Sequence, residues 1–225
     1  MFQRAGAPAY KPGLDTSRAL DKAFGYPHRA YKTIHVAGTN GKGSTSHTLA
    51  AVLQAAGYRT GLYTSPHLVD FRERMRVNGK MISEEEVVDF VSRYGAMCLN
   101  LHPSFFELTM MMAFDFFARE NVDIAIIEVG LGGRLDSTNI ITPEICVITN
   151  ISYDHTAFLG DTLPMIASEK AGIIKPHIPV VIGEATGEVK QVFTDAARRE
   201  DAPIILAPQN LTVSPESRDG VMGHM

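Results

Sequence analysis

A glycine-rich segment that follows a short apolar run has the composition of a phosphate-binding loop. It comprises Gly38, Thr39, Asn40, Gly41, Lys42, Gly43 and Ser44. Glycines let backbone N–H groups curve around phosphate oxygens, the following helix adds partial positive charge, and Lys42 adds a full one. Ser44 can face a magnesium ion. The strict phosphate-loop pattern has a glycine where Val36 stands, so the segment is a variant, and the alternative is a plain glycine turn with a helix cap.

Two side chains that could bind a metal lie where predicted strands end. Glu128 ends an apolar run, and the carboxyl edge of a parallel sheet is where such sheets bind ligands. Its carboxylate suits magnesium, although pairing with Arg134 is an alternative. His155 follows the next apolar run and could ligate a metal, with Asp154 orienting it. A lone histidine is more often structural.

Two charged segments have less specific patterns. The segment 64–74 contains arginines, among them Arg72, that could contact an anionic substrate, but by itself it is an exposed charged loop. The segment 168–175 contains Lys170, and its pattern alone predicts the end of an amphipathic helix with solvated charges.

The remaining sequence supplies the elements that must position these residues. We predict strands at 33–37, 61–64, 123–129, 145–149, 180–182 and 204–206, and helices at 44–56, 83–97, 104–119, 163–172 and 186–200. Capping boxes begin the helices after Ser83 and Ser104, and Asn78-Gly79 predicts a hairpin. The alternation of strand and helix predicts an α/β fold: a P-loop-type, mostly parallel sheet with helices on both faces.

Composition excludes several classes of function. The chain has 225 residues, 45% of them hydrophobic, and a net charge of −4, so we expect one large folded domain over residues 1–225. No basic block indicates nucleic-acid or membrane-surface binding, and no apolar run is long enough to span a membrane. Cys98 and Cys146 are far apart, which fits a reducing cytosol. We therefore expect a monomeric cytoplasmic protein.

Three longer runs carry a resemblance to a known family. They are TSPHLVDFRERMRVNG at 64–79, SFFE at 104–107 and EVGLGGRLDSTN at 128–139. Together with the glycine-rich segment they resemble the folylpolyglutamate synthase and dihydrofolate synthase family of Mur-ligase-like ATP-dependent amide ligases. The resemblance implies that ATP and two Mg²⁺ ions are used to add L-glutamate to folate or dihydropteroate, through an acyl phosphate. It also implies a C-terminal ligase domain without a counterpart here, so we expect this chain alone to be inactive.

The resemblance also implies a role for individual residues. The segment Gly38–Ser44 would hold the ATP phosphates, Ser65 and Glu128 one magnesium ion, and His155 the second. Lys170 would carry a carbamate formed with carbon dioxide, and Lys42, Lys170 and His155 would be the catalytic residues. The substrate-binding residues would be Phe106, which stacks on the pterin ring, its hydrogen-bonding partner Asp136, the neighbouring Ser104, and Arg72 of the charged loop.

Other functions remain open on the residues alone. A cell-wall Mur ligase would use the same phosphate loop with UDP-muramyl substrates, although the segment 64–79 speaks against it. A nucleotide-binding module without ligase chemistry would need only that loop. Phe106 has an alternative as well, because its position also suits an ordinary helix core.

Overall fold

The fold is described by a computed structural model that covers residues 13–97 and 100–210; Cys98 lies outside these residues. The strands are β1 (Lys32–Ala37), β2 (Thr60–Tyr63), β3 (Met75–Val77), β4 (Lys80–Met81), β5 (Ile124–Glu128), β6 (Ile145–Ile148), β7 (Val180–Ile182) and β8 (Ile204–Leu206). The helices are α1 (Asp15–Ala23), α2 (Lys42–Ala55), α3 (Glu84–Ala96), α4 (Phe105–Arg119), α5 (Thr156–Leu159), α6 (Leu163–Ala171), α7 (Gly187–Arg199) and α8 (Ala207–Asn210).

All eight strands belong to one sheet, in the order β4-β3-β2-β5-β1-β6-β7-β8. Six neighbouring strands are parallel: β2, β5, β1, β6, β7 and β8. Strands β3 and β4 extend the sheet beyond β2 as an antiparallel hairpin. Asn78 and Gly79 turn that hairpin with φ of 47° and 77°, as the Asn-Gly pair predicts. The predicted mostly parallel α/β sheet is confirmed.

Helices cover the two faces unequally. Adjacent residues of a strand point to opposite faces, so Ile126 and Ile127 in β5 face different layers. Ile126 packs with Ala50 of α2. Ile127 packs with α4, among them the fully buried Phe114 and Phe117. The side chains of α6 and α7 pack against β6 and β7 on the same side as α4. One face therefore holds α2, and the other holds most of the helical mass.

Local signals placed most helices correctly. The Ser83 and Ser104 hydroxyls each accept a hydrogen bond from the backbone amide three residues on. The Glu86 and Glu107 carboxylates in turn accept one from the backbone amide of the serine, so both predicted capping boxes are confirmed. The predicted start of α2 at Ser44 is two residues late, since the helix begins at Lys42. Helices α1, α5 and α8 were not predicted from the sequence. Within the described residues, none of the helices has both the length and the apolar character to cross a membrane.

Candidate functional site

The glycine loop, residues 38–44, joins the central strand β1 to α2 at the carboxyl edge of the sheet. Gly38 has φ of 143°, and a Cβ atom there would lie 1.8 Å from the Thr149 hydroxyl oxygen. Gly41 has φ of 80°, a conformation that residues with a Cβ rarely adopt. Both positions favour glycine because of their positive φ, and Gly38 is in addition too crowded for a Cβ atom.

The segment after β6 holds the glycine loop in place. The Thr39 amide donates to the Asn150 carbonyl at 2.9 Å, and the Asn40 amide donates to the Asn150 side chain at 3.0 Å. The Asn40 side chain donates to the Ser152 hydroxyl at 3.0 Å, and the Thr149 hydroxyl donates to the Asn40 carbonyl at 2.6 Å. The sequence pattern of this segment indicated the candidate ligand His155 but not its role as a scaffold for the loop.

Two lysines share one carbonyl of the glycine loop. Lys42 Nζ donates to the Gly38 and Thr39 carbonyl oxygens, each at 3.1 Å, and Lys170 Nζ donates to the Gly38 oxygen at 2.9 Å. Lys170 is only 4% exposed. Burial, followed by the charge of Lys42, lowers the pKa of Lys170 from 10.5 to about 8. The interpretation of Lys170 as a solvated helical charge is therefore wrong.

Glu128 lies beside the glycine loop with its carboxylate almost fully buried. It is 4% exposed, and its Oε2 accepts a hydrogen bond from the Ser65 amide at 3.1 Å. Burial raises the pKa of Glu128 above the usual glutamate value, against the lowering effects of the Ser65 amide and Lys42. The alternative pairing with Arg134 is wrong, because Arg134 forms its ion pair with Glu169 at 2.8 Å.

His155 is placed differently from Glu128. It occupies the N-cap position of the short helix α5 with φ of 47° and makes no capping hydrogen bond with its side chain. That side chain is about half exposed, and its Nε2 lies 3.6 Å from a carboxylate oxygen of Asp154. Among the described residues, no hydrogen bond or ion pair joins His155 to Glu128 or Lys170. The part of the chain described here also holds no group of three or more His, Cys, Asp or Glu side chains arranged for a metal.

A cavity of about 440 Å³ connects the glycine loop to the segment after β2. His47 and Arg76 line it, and neither was predicted from the sequence as a site residue. His47 Nδ1 lies 2.9 Å from the Gly43 carbonyl oxygen, which can only accept, so Nδ1 carries the proton and Nε2 is an acceptor in the neutral ring. The other lining residues are Thr39, Asn40, Gly41, Lys42, Gly43, Thr64, Ser65, Pro66, Leu68, Glu73 and Glu128.

The predicted pterin-binding residues cluster on the α4 side of the sheet. Phe106 is half-buried, with its ring centroid 6.1 Å from that of Tyr63, and a Cβ on Gly130 would lie 2.4 Å from its ring. Asp136 is buried, and its carboxylate accepts hydrogen bonds from the Gly130 and Leu131 amides and from the amide and hydroxyl of Thr138. Those bonds shape the loop after β5, a structural task that the pattern did not reveal.

Arg72 is already paired. Its Nη2 lies 2.7 Å from a carboxylate oxygen of Asp70, and its Nη1 lies 3.3 Å from Glu84. The hydrogen bonds that Arg72 donates to the Asp70 carboxylate raise the pKa of Arg72. Its suggested role in contacting a substrate is therefore less well supported than the pattern implied.

The fold and this site together define a class of protein. The glycine loop joins a central parallel strand to a helix, and a buried carboxylate lies beside the loop at the end of the neighbouring strand of the sheet. This is the arrangement of P-loop nucleotide-binding domains. Within that class, the sequence profile of the Mur ligase middle domain matches residues 36–210, and the chain belongs to this family.

Individual relatives narrow the likeness to one branch. The chain is 44% identical over 200 residues to the dihydrofolate synthase/folylpolyglutamate synthase of Bacillus subtilis, which covers 86% of the chain and 46% of that protein. The crystal structure of folylpolyglutamate synthase from Thermotoga maritima superposes with a TM-score of 0.82 and 44% identity. The match covers 87% of the present chain and 46% of the Thermotoga chain. The structure of E. coli FolC in complex with DHPP and ADP superposes with a TM-score of 0.83 and 35% identity, and the match covers 90% of the present chain and 49% of the FolC chain. The family resemblance is confirmed, and the chain spans about half the length of these relatives.

Proposed function

We propose that this chain provides the nucleotide-binding site of an ATP-dependent ligase that adds L-glutamate to folate or dihydropteroate, or to both. The relatives named as folylpolyglutamate and dihydrofolate synthases support this reaction. A single structural observation carries it: one cavity edge combines the glycine loop, Lys42 and the buried carboxylate of Glu128.

The glycine loop and Lys42 would bind the ATP phosphates. Lys42 Nζ now bonds two carbonyl oxygens of its own loop, at 3.1 Å each. Phosphate oxygens carry full negative charge and are stronger acceptors than carbonyls, so the side chain can exchange those partners for phosphate without unfolding the loop. The α2 N-terminus adds its partial positive charge on the same side.

The residues around Glu128 fit a magnesium ion. Its Oε1 accepts no hydrogen bond from the described residues, and the carboxylate lines the cavity beside Ser65. Magnesium commonly uses one or two carboxylates together with phosphates and water, so a set with few protein ligands is expected. When bound, Mg²⁺ supplies charge that offsets the negative charge on the transferring phosphoryl group. His155 would support a second ion only if its exposed side chain turns toward the cavity.

The chemistry of amide formation explains why these groups are needed together. A carboxylate is a poor acyl donor, so its oxygen first takes the γ-phosphoryl group of ATP, releasing ADP. The glutamate amine then attacks the acyl carbon, and inorganic phosphate leaves. Lys42 and the loop amides would stabilise the developing negative charge.

Lys170 suits the proposed carbamate. Carbamate formation requires a neutral amine, and a lysine with a pKa of about 8 supplies one far more often than an ordinary lysine does. The side chain is buried beside Gly38. Conversion to an anion there would remove its repulsion of Lys42 and of bound cations. The buried free thiol of Cys146 suits the cytoplasmic location that we also propose.

Calorimetry can test the nucleotide site and the substrate class separately. We expect the chain to bind the non-hydrolysable analogue AMPPCP with Mg²⁺, and Lys42→Ala to weaken that binding by at least tenfold, because a charged hydrogen-bond donor to phosphate is lost. Dihydropteroate should bind, and a UDP-muramyl peptide should not. Unchanged AMPPCP affinity in Lys42→Ala would refute the phosphate loop, and binding of the UDP-muramyl peptide alone would favour a cell-wall ligase.

A further inference from the structure

We infer that Arg74 and Tyr63, rather than Arg72, bind the carboxylate of an aromatic acid substrate. This inference rests on the proposed function and names the group that recognises the reacting end of that substrate. Two buried polar side chains support it: the Tyr63 hydroxyl has no hydrogen-bond partner among the described residues, and Arg74 donates there only through its Nε.

Arg74 is a buried cation without a counter-ion in the described structure. It is 7% exposed, and its Nε donates to His67 Nδ1 at 2.8 Å. Its guanidinium carbon lies 5.6 Å from the centre of the Phe105 ring. No carboxylate of the described residues pairs with it, and its two Nη groups have no hydrogen-bond partner there, in contrast to Arg72 with Asp70 and Glu84.

Tyr63 presents a second unused donor nearby. Its hydroxyl is fully buried and has no hydrogen-bond partner among the described residues. Tyr63 pairs with Met75 across the β2–β3 ladder, and the Thr64 amide donates to the Arg74 carbonyl at 3.0 Å, so Tyr63 and Arg74 start from neighbouring backbone positions. Burial raises the pKa of Tyr63, and the positive charge of Arg74 opposes that rise. A buried hydroxyl without a partner costs free energy, as does a largely buried guanidinium without a counter-ion, and one bound anion would serve both.

The surroundings favour an aromatic acid over a free inorganic anion. Phe106 lies beside Tyr63 with ring centroids 6.1 Å apart, and Phe105 lies against Arg74. Both phenylalanines belong to the first turn of α4, a helix of 15 residues whose N-terminus carries partial positive charge. The partial positive charge of the helix N-terminus does not stabilise the Arg74 guanidinium. A carboxylate bound there would be stabilised both by the helix N-terminus and by the guanidinium.

The position also suits the reaction. Tyr63 ends β2, and two residues later the Ser65 amide bonds Glu128 beside the glycine loop. A carboxylate bound by Tyr63 and Arg74 would therefore lie near the proposed phosphate site, because Ser65 is only two residues after Tyr63. A guanidinium donates two parallel hydrogen bonds to a carboxylate, so Arg74 would fix its orientation as well as its charge.

The test compares Arg74→Met with the matched control Arg72→Met in calorimetric titrations of the whole chain. The probes are pteroate, which has a benzoate carboxylate, and its uncharged methyl ester. We expect Arg74→Met to weaken pteroate binding by about 10-fold to 100-fold and to leave AMPPCP binding with Mg²⁺ unchanged. Arg72→Met should bind pteroate like the wild type. The wild type should prefer pteroate to the ester, and Arg74→Met should not.

Thermal unfolding separates recognition from a structural role. Because methionine fills the space without a buried unpaired charge, unliganded Arg74→Met should melt at the wild-type temperature or above it. If it melts lower, Tyr63→Phe decides, since it removes only the hydroxyl and should still weaken pteroate binding severalfold. Wild-type affinity for pteroate in Arg74→Met or in Tyr63→Phe, or equal affinity of the wild type for acid and ester, would overturn the inference. A wild type that binds AMPPCP but no pteroate would instead refute the proposed substrate class.

Discussion

Replacing Lys170 by methionine should change how the stability of the protein depends on pH. The pKa of Lys170 is lowered from 10.5 to about 8, mainly by burial. A lysine whose folded pKa lies below its unfolded value destabilises the fold whenever it is protonated in both states. At 1.36 kcal/mol per pKa unit, that penalty is about 3 kcal/mol below pH 8.

The sign of the pH dependence follows from which state holds the proton. Between pH 8 and pH 10.5 the unfolded chain keeps the Lys170 proton while the folded protein loses it. The penalty therefore disappears as pH rises through this window. Methionine never carries the penalty, but it lacks the hydrogen bond to the Gly38 carbonyl, worth about 1 kcal/mol.

These magnitudes predict a crossing of the two stability curves. Near pH 7 the Lys170→Met variant should be more stable than the wild type by about 2 kcal/mol, and above pH 10.5 it should be less stable by about 1 kcal/mol. The assay is urea unfolding at several pH values from 7 to 10.5 in buffer free of bicarbonate. Groups common to both proteins, such as Lys175, cancel in the difference between their free energies of unfolding.

The exposed Lys22 supplies the control. Lys22→Met removes the same charge without changing a buried group, so its difference from the wild type should stay nearly constant over this pH range. A constant difference for Lys170→Met would refute the reasoning, because it would mean that the Lys170 amine reaches water and keeps an ordinary pKa.

Two further substitutions test the geometry of the site. Gly38→Ala should abolish AMPPCP binding and lower the melting temperature, because the new Cβ would lie 1.8 Å from the Thr149 oxygen and φ is 143°. In a Thr149→Ala background, which removes that oxygen, Gly38→Ala should recover only part of the loss. Full recovery would show that the positive φ does not limit the substitution. Asp136→Ala should destabilise the fold by roughly 2–4 kcal/mol in urea unfolding, because two backbone amides at its Oδ2 and the amide and hydroxyl of Thr138 lose their acceptor; a change below about 0.5 kcal/mol would mean that water replaces it easily.

Features encoded within a few residues were predictable. The capping boxes at Ser83 and Ser104 depend on side chains three positions apart, so their local pattern fixes the helix starts. The apolar run that ends at Glu128 reads as a strand buried on both faces, which β5 is. The glycine loop combines both kinds of signal, an apolar strand and a helix start separated by glycines.

Features set by contacts between distant segments were not predictable. Lys170 occupies a helix of ordinary amphipathic pattern, and its burial involves distant segments such as the glycine loop, where its Nζ donates to Gly38, 132 residues away. Arg72 and Arg74 alternate in one charged run, and nothing local shows that only Arg74 turns inward against Phe105. Helix α1 was missed because Leu20 is the only large apolar side chain that it buries, so no apolar stripe marks it.

The strand order has a consequence for how the protein reaches this structure. Strand β1 lies between β5 and β6, and Asn40 in the glycine loop that follows it donates to Asn150, 110 residues along the chain. Closing such long loops costs chain entropy before any pairing repays it, which slows folding relative to a protein of mostly local contacts. The glycine loop cannot acquire its scaffold until β6 has joined the sheet. Recovery of AMPPCP binding during refolding would therefore report the completion of the central sheet, later than the first helices.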